Sequence, residues 1–297
     1  METKQKTDVY TIVTNRIIEQ LQNNVVPWQK PWSDAGLPQN LVTKIPYRGL
    51  NVWMLASLGY AQNYFLTWKQ LGKLGGTLKK GEKGHIVTFW EKVPKDKDGD
   101  VLEGAETTSA LRYYLVYNIA QCDGLPEVCS IPPSPHTISR LDACEEIIDR
   151  MPNCPLIKFG KSMAFYDPQK DLITIPKLTN ESYYRTLFPE LVHSTGHGSR
   201  LNRKAIVENP EYASELYSQE ALVAEIGACY LNSVAGIGAA EFDNSVAYIN
   251  GWLMQLKNDK RLIFYASYRA QKAVEYILDV KPYVKTETTQ EELAETP

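Results

Sequence analysis

Three prolines crowd the segment SIPPSPHTIS at residues 130–139, and no regular element can run through it. Each proline fixes its own φ, removes a backbone donor and disfavours helix in the residue before it. The 297-residue chain therefore reads as two compact regions, 1–130 and 140–283, joined by an extended linker over 131–139. A tail follows at 284–297 that is acidic, lacks aromatics and is expected to be disordered. Two regions of this length each match an ordinary domain. They also differ in charge. Residues 1–92 carry 12 Lys and Arg against 6 Asp and Glu, whereas the remainder carries 20 against 29, so the overall −3 conceals a basic front and an acidic back. Any nucleic-acid contact is expected in front.

In the front region Val9, Val13, Ile17 and Leu21 recur at i+4 and predict an amphipathic helix over 8–24, ended by Pro27 and Pro31. A second helix is expected over 50–60. A third starts at Thr67, a good N-cap, and stops at Gly75-Gly76. HIVTFWEKV and RYYLVYNI read as two strands joined by the charged turn KDKDGD. Behind the linker, Ser139 should cap a helix, followed by short strands near 164–166 and 172–175, then helices near 181–196, 218–235, 243–257 and 260–278. The fold class is α+β: a small α+β front domain, then a mostly helical domain with a short sheet. The five cysteines form no C-x-x-C pair and read as small buried apolar residues of a reducing compartment. No run approaches the roughly 18 apolar residues that span a bilayer, and no apolar leader is visible, so a cytoplasmic, membrane-free protein is expected.

Two of the four histidines lie in FPELVHSTGHGSRLNR. In a zincin helix, H-E-x-x-H places two histidines on one face to grip zinc, and the intervening Glu activates the bound water. Glu190-Leu191-Val192-His193 reproduces the last four positions, but the first is Pro189. The third zincin ligand is often a Glu on the next helix, and EALVAEIGA at 220–228 resembles the ligand helix of thermolysin-like enzymes, with Glu220 in the ligand position. Glu225 lies roughly 140° further round that helix and cannot face the same ion. Two readings follow. His193, His197 and Glu220 hold a divalent ion, zinc or another such as manganese, with Glu190 as general base. Alternatively the loss of the histidine cripples the site. Pro189 also removes a helix N–H, at a cost of about 3 kcal/mol or more.

The front region interleaves aromatics with cations: Trp28, Lys30, Trp32, Tyr47, Arg48, Asn51, Trp68, Lys69, Lys79, Lys80 and Lys83. Single strands are held this way, by bases stacked on aromatic faces and phosphates tracked by cations. Trp53 and Trp90 read as buried. Trp28 and Trp32, set among prolines and polar residues, read as exposed stacking candidates.

The run ELVHSTGH, SRLNR, EALVAEIGA resembles the metallopeptidase-like domain of ArdC-type antirestriction proteins, in which a histidine stands where this chain has Pro189. PWQKPW, PYRGLN, LTWKQ and KKGEKG resemble the N-terminal domain shared by that family and TraC-type plasmid primases. The resemblance implies single-stranded DNA as partner in front, a zincin-like domain behind, and protection of conjugating DNA from restriction. A rival is a metal-dependent peptidase recruited to single strands to cut an unknown protein.

Overall fold

The apolar stripe of the first helix is where the core begins. The computed structural model describes residues 8–29, 36–94, 107–126, 139–160, 162–208, 215–237 and 246–280. Helix α1 (Val9–Gln22) is capped by Asp8, whose carboxylate accepts from the Thr11 N–H at 3.1 Å. It buries Val13, Ile17, Ile18 and Leu21. Strand β1 (Gln39–Asn40), helix α2 (Leu50–Ala56) and strand β2 (Tyr64–Thr67) follow. Thr67 then opens helix α3 (Trp68–Lys73) through a reciprocal capping box with Gln70. Strand β3 (Thr77–Leu78), β4 (His85–Pro94), β5 (Thr107–Asn118) and β6 (Cys122–Asp123) complete the front region. The main sheet runs β1-β2-β5-β4, antiparallel except for the parallel β1–β2 pair, and β3 pairs with β6. The returning strand is longer than the sequence suggests.

The back region opens on α4 (Arg140–Arg150), capped as expected by Ser139. Strands β7 (Leu156–Gly160), β8 (Phe165–Asp167) and β9 (Leu172–Pro176) form a sheet in the order β7-β9-β8. The parallel strand β7 was not expected, because most of its residues are solvent-accessible and offer no burial pattern. Helices α5 (Asn180–Ser194), α6 (Lys204–Val207), α7 (Glu215–Ala235), α8 (Val246–Asn258) and α9 (Leu262–Ile277) follow. Pro189 lies inside α5, yet the helix continues to Ser194. Leu187, Phe188, Leu191 and Val192 on either side are fully buried. At about 1.5–3 kcal/mol per buried side chain, that packing outweighs the proline penalty.

One hydrophobic cluster joins Ile17, Trp28, Trp53 and Phe65 in front to Leu191, Ile226, Trp252 and Ile263 behind. Helix α1 packs on α8, and α2 on α9. Polar ties cross the same boundary. Trp53 Nε1 donates to Ser267 Oγ at 3.1 Å, Tyr230 Oη to the Gly49 carbonyl at 2.6 Å, and Thr14 Oγ1 to the Lys260 carbonyl at 2.8 Å. The two regions thus share a core. Residues 131–138 of the expected linker, the turn at 95–100, Lys30, Trp32 and the tail at 284–297 lie outside the described residues. No described helix is long and apolar enough to cross a membrane.

Candidate functional sites

Helices α5 and α7 pack together and bring the zincin-like residues to one place. His193 Nδ1 lies 3.2 Å from Glu220 Oε1. Glu220 is also gripped by Arg203, which lies outside the zincin motif. Arg203 donates from Nε to Glu220 Oε2 at 2.9 Å and from Nη2 to Oε1 at 2.6 Å. Its other bonds reach Thr195 Oγ1 at 2.6 Å and the Val192 carbonyl at 2.8 Å, at the C-terminal end of α5. The only sequence signal for this was a pair of arginines, Arg200 and Arg203, directly after the histidine helix. Arg200 serves the same end of α5 from the other side, bonding the Ser194 carbonyl at 2.7 Å and pairing with Asp171.

Burial alone would raise the Glu220 carboxyl, but the hydrogen bonds and charges of His193 and Arg203 outweigh it and hold the pKa below the ordinary value. For His193, burial opposes the cation, and the Glu220 and Glu190 carboxylates outweigh that and raise the pKa. Burial raises Glu190, with the nearby His193 charge offsetting part of the rise. The Glu190 and His193 charges therefore influence one another. His197 does not follow. Helix α5 stops at Ser194 with Thr195 as its cap, so the i,i+4 relation to His193 is lost. The His197 ring instead bonds within its own turn, with Ser199 Oγ 2.8 Å from Nδ1.

These residues do not fit a metal ion as they stand. Pro189 supplies no donor, His197 is turned to its own loop, and both Glu220 oxygens are bonded to a guanidinium. Among the described residues, no group of three or more His, Cys, Asp or Glu side chains is placed to hold a metal.

The front region corrects the expected exposure of several aromatics. Trp28 is 0% exposed. Its ring meets Trp53 and Trp252 edge-on, each at 6.1 Å, and its Nε1 donates to Glu225 Oε2 at 3.1 Å. It has no free face for a base, because α8 covers what looks like an open, proline-flanked loop. Tyr47 is buried against Phe65. Arg48 is paired with Glu275 of α9. Asn51 grips the edge strand, donating to the Thr88 carbonyl at 2.7 Å and accepting from its N–H at 2.8 Å. Trp90 errs the other way: expected in the core, it is 55% exposed, with one edge against Tyr10.

The exposed aromatics gather elsewhere. Alternation along β5 sends Tyr114 and Val116 inward and leaves Tyr113 and Leu115 exposed on the outer face of the sheet, with Tyr117 half-buried beside Leu66 and Leu71. Trp68, 60% exposed at the start of α3, meets Tyr117 edge-on at 6.1 Å. The basic turn lies over this row because Gly84 lacks a side chain: a Cβ there would stand 2.9 Å from Leu115 Cβ. Lys69, Lys80 and Lys83 are exposed around it, while Lys79 bonds the Ala120 carbonyl at 2.8 Å. The alternation in RYYLVYN was the signal that could have found this face.

Glu225, the second carboxylate of α7, faces the front region and accepts from Tyr248 and Trp28. Burial raises its pKa above 4.5, with those hydrogen bonds offsetting part of the rise. A raised carboxyl favours folding below its unfolded value, and that contribution is lost as pH rises through the folded value. Glu225→Gln, which keeps an acceptor without the charge, should therefore melt higher than the native chain at pH 8, with the gap narrowing on acidification. Thermal melts across pH check this, and a pH-independent gap contradicts it.

Comparison with known proteins matches both regions of the chain. The model of the N-terminal domain of anti-restriction factor ArdC matches residues 7–118, and that of a zincin-like metallopeptidase matches residues 144–269. The chain is 32% identical to a DNA primase TraC of Escherichia coli over 92% of its own length, but it spans only 20% of that primase. An uncharacterized protein of Sinorhizobium fredii is 30% identical, with 91% of this chain and 92% of that protein aligned. The crystal structure of metal-free ArdC from the R388 plasmid superposes with a TM-score of 0.73 at 34% identity, covering 93% of this chain and 100% of that one. The Mn(II)-bound form of the same protein gives 0.71, covering 92% and 98%. Matched in both regions and along the whole of a solved relative, this chain belongs to the ArdC antirestriction family.

Proposed function

We propose that this protein binds single-stranded DNA in the cytoplasm during plasmid entry and shields it from restriction, using the outer face of the front sheet. The observation that carries the reading is the juxtaposition of Trp68, Tyr113, Leu115 and Tyr117 with the exposed lysines of α3 and the 79–84 turn. Aromatic faces accept any base, and lysines follow the phosphates without reading sequence. Family membership and the likeness to TraC primases support a DNA partner. The zincin-like region serves in this reading as the support on which the front region is folded, since the two share a core. The peptidase reading has less behind it: ArdC from the R388 plasmid has an Mn(II)-bound structure, but this chain has Pro189 in the first position of the zincin pattern, and no metal-holding group of three His, Cys, Asp or Glu is found among its described residues.

The test uses the full chain and a labelled oligonucleotide. Trp68→Ala and Tyr113→Ala should each weaken single-strand binding by about 1–3 kcal/mol if they stack a base. Thermal stability should hardly change, because both side chains are exposed. Lys80→Ala and Lys83→Ala should each reduce the salt dependence of log K by about one phosphate contact. Native affinity in both aromatic variants, or equal affinity for single and double strands, overturns the assignment.

A further inference from the structure

We propose that Arg203 is the resident counter-charge of Glu220, so that with Pro189 in the first position of the zincin pattern this half of the chain is complete without a metal ion. The inference is independent of the DNA-binding reading.

Four observations carry it. The Arg203 side chain is 2% exposed and makes a two-point contact with Glu220, the carboxylate in the ligand position of the zincin sequence pattern. A guanidinium stays charged at any pH at which the protein folds, and its planar fork matches a carboxylate. The rest of the fork is also engaged, on Thr195 Oγ1 and the Val192 carbonyl, so the arginine is fixed from the end of α5 as well as from α7. Gly196 allows this close packing: a Cβ there would stand 2.5 Å from Ile206 Cγ1 and 3.1 Å from the Arg203 guanidinium carbon. Lastly, the position that precedes Glu190 in the zincin pattern is Pro189, which has no donor to offer.

Electrostatics then decides between the two cations. A buried carboxylate needs a counter-charge. Arg203 supplies it from within the chain, already bonded and at no cost in association entropy. A divalent ion using Glu220 would have to displace the guanidinium or sit beside it. Displacement leaves a buried arginine without its partner, and coexistence sets like charges close together in a medium of low dielectric. With one histidine and no metal-holding group of three His, Cys, Asp or Glu among the described residues, the ion has little ligation to offset either cost.

The experiment has two arms on the full-length protein. The first titrates Mn(II), then Zn(II), into chelator-treated protein by calorimetry and follows the melting temperature with and without EDTA. The expected result is no saturable heat at one equivalent and an unchanged melting temperature, since a ligand that bound the folded state would raise it. Stoichiometric binding that is abolished by His193→Ala overturns the proposal. The second arm compares Arg203→Met, Glu220→Gln and the double variant. If Arg203 is the counter-ion, removing both charges together should restore part of what either single change loses, and the double variant should melt above Arg203→Met. If Arg203→Met does not fold, Arg203→Gln, which removes the charge but keeps a polar side chain, takes its place. A double variant that melts at the additive position shows no coupling and overturns the assignment.

Discussion

Trp28→Ala is expected to lower the unfolding free energy by about 3–5 kcal/mol, and to lower it for both regions together. The indole is fully buried, packed edge-on between Trp53 of the front region and Trp252 of α8, and hydrogen-bonded to Glu225 of α7. Truncation leaves a cavity at the joint and strips a donor from a carboxylate that is already short of solvent. Because the core is continuous across the boundary, tryptophan fluorescence and far-ultraviolet circular dichroism should report one coincident transition shifted to lower denaturant. Two separated transitions, with only the first one moved, would show that the regions unfold independently. DNA affinity of the folded variant should stay near native, because the ring has no exposed face; a loss of affinity larger than the loss of folded protein would return Trp28 to the binding surface. The shared core also predicts that a fragment ending at the proline-rich segment exposes Trp28 and Trp53 to water, so binding is best measured on the whole chain.

Glu220→Ala carries the second large effect, a destabilisation of about 3–5 kcal/mol. The change deletes the acceptor of two Arg203 hydrogen bonds and one His193 contact, and it leaves a guanidinium that is 2% exposed without a counter-charge. Breaking one side of a buried pair costs more than the pair contributes net, because desolvation of the remaining charge is no longer compensated. The damage should centre on the end of α5, since Arg203 also bonds the Val192 carbonyl and Thr195 there. Chemical denaturation with hydrogen exchange of the α5 amides measures both. A variant within about 1 kcal/mol of native stability would mean that Arg203 finds water or another acceptor and that the buried pair is not what fastens α5 to α7.

Much of the architecture was legible in residues that act locally. Thr67 and Ser139 start their helices as the side-chain caps require. The i+4 stripe of α1 is buried at Val13, Ile17 and Leu21 and half-buried at Val9. The 140° offset between Glu220 and Glu225 sends one carboxylate to His193 and the other to Trp28. Gly196 falls beyond the end of α5, which is why His197 leaves the histidine face. Other features depended on what packs against a residue rather than on its neighbours in sequence. Trp28 looks exposed by its prolines and is covered by a helix more than two hundred residues away; Trp90 looks buried by its strand and is left more than half exposed on the edge strand β4. The two-residue strand β1 and the exposed strand β7 carry no pattern of their own and exist only through parallel partners. The sequence by itself determined the local elements, the family resemblance and the candidate zincin residues, because capping, periodicity and motif spacing are short-range properties. The tertiary structure alone decided that the two regions share a core, that the open aromatic face is Trp68 with the outer side of β5, and that Arg203 holds Glu220. Burial and ion pairing are set by whichever surfaces meet on folding, and a linear sequence does not state which ones do.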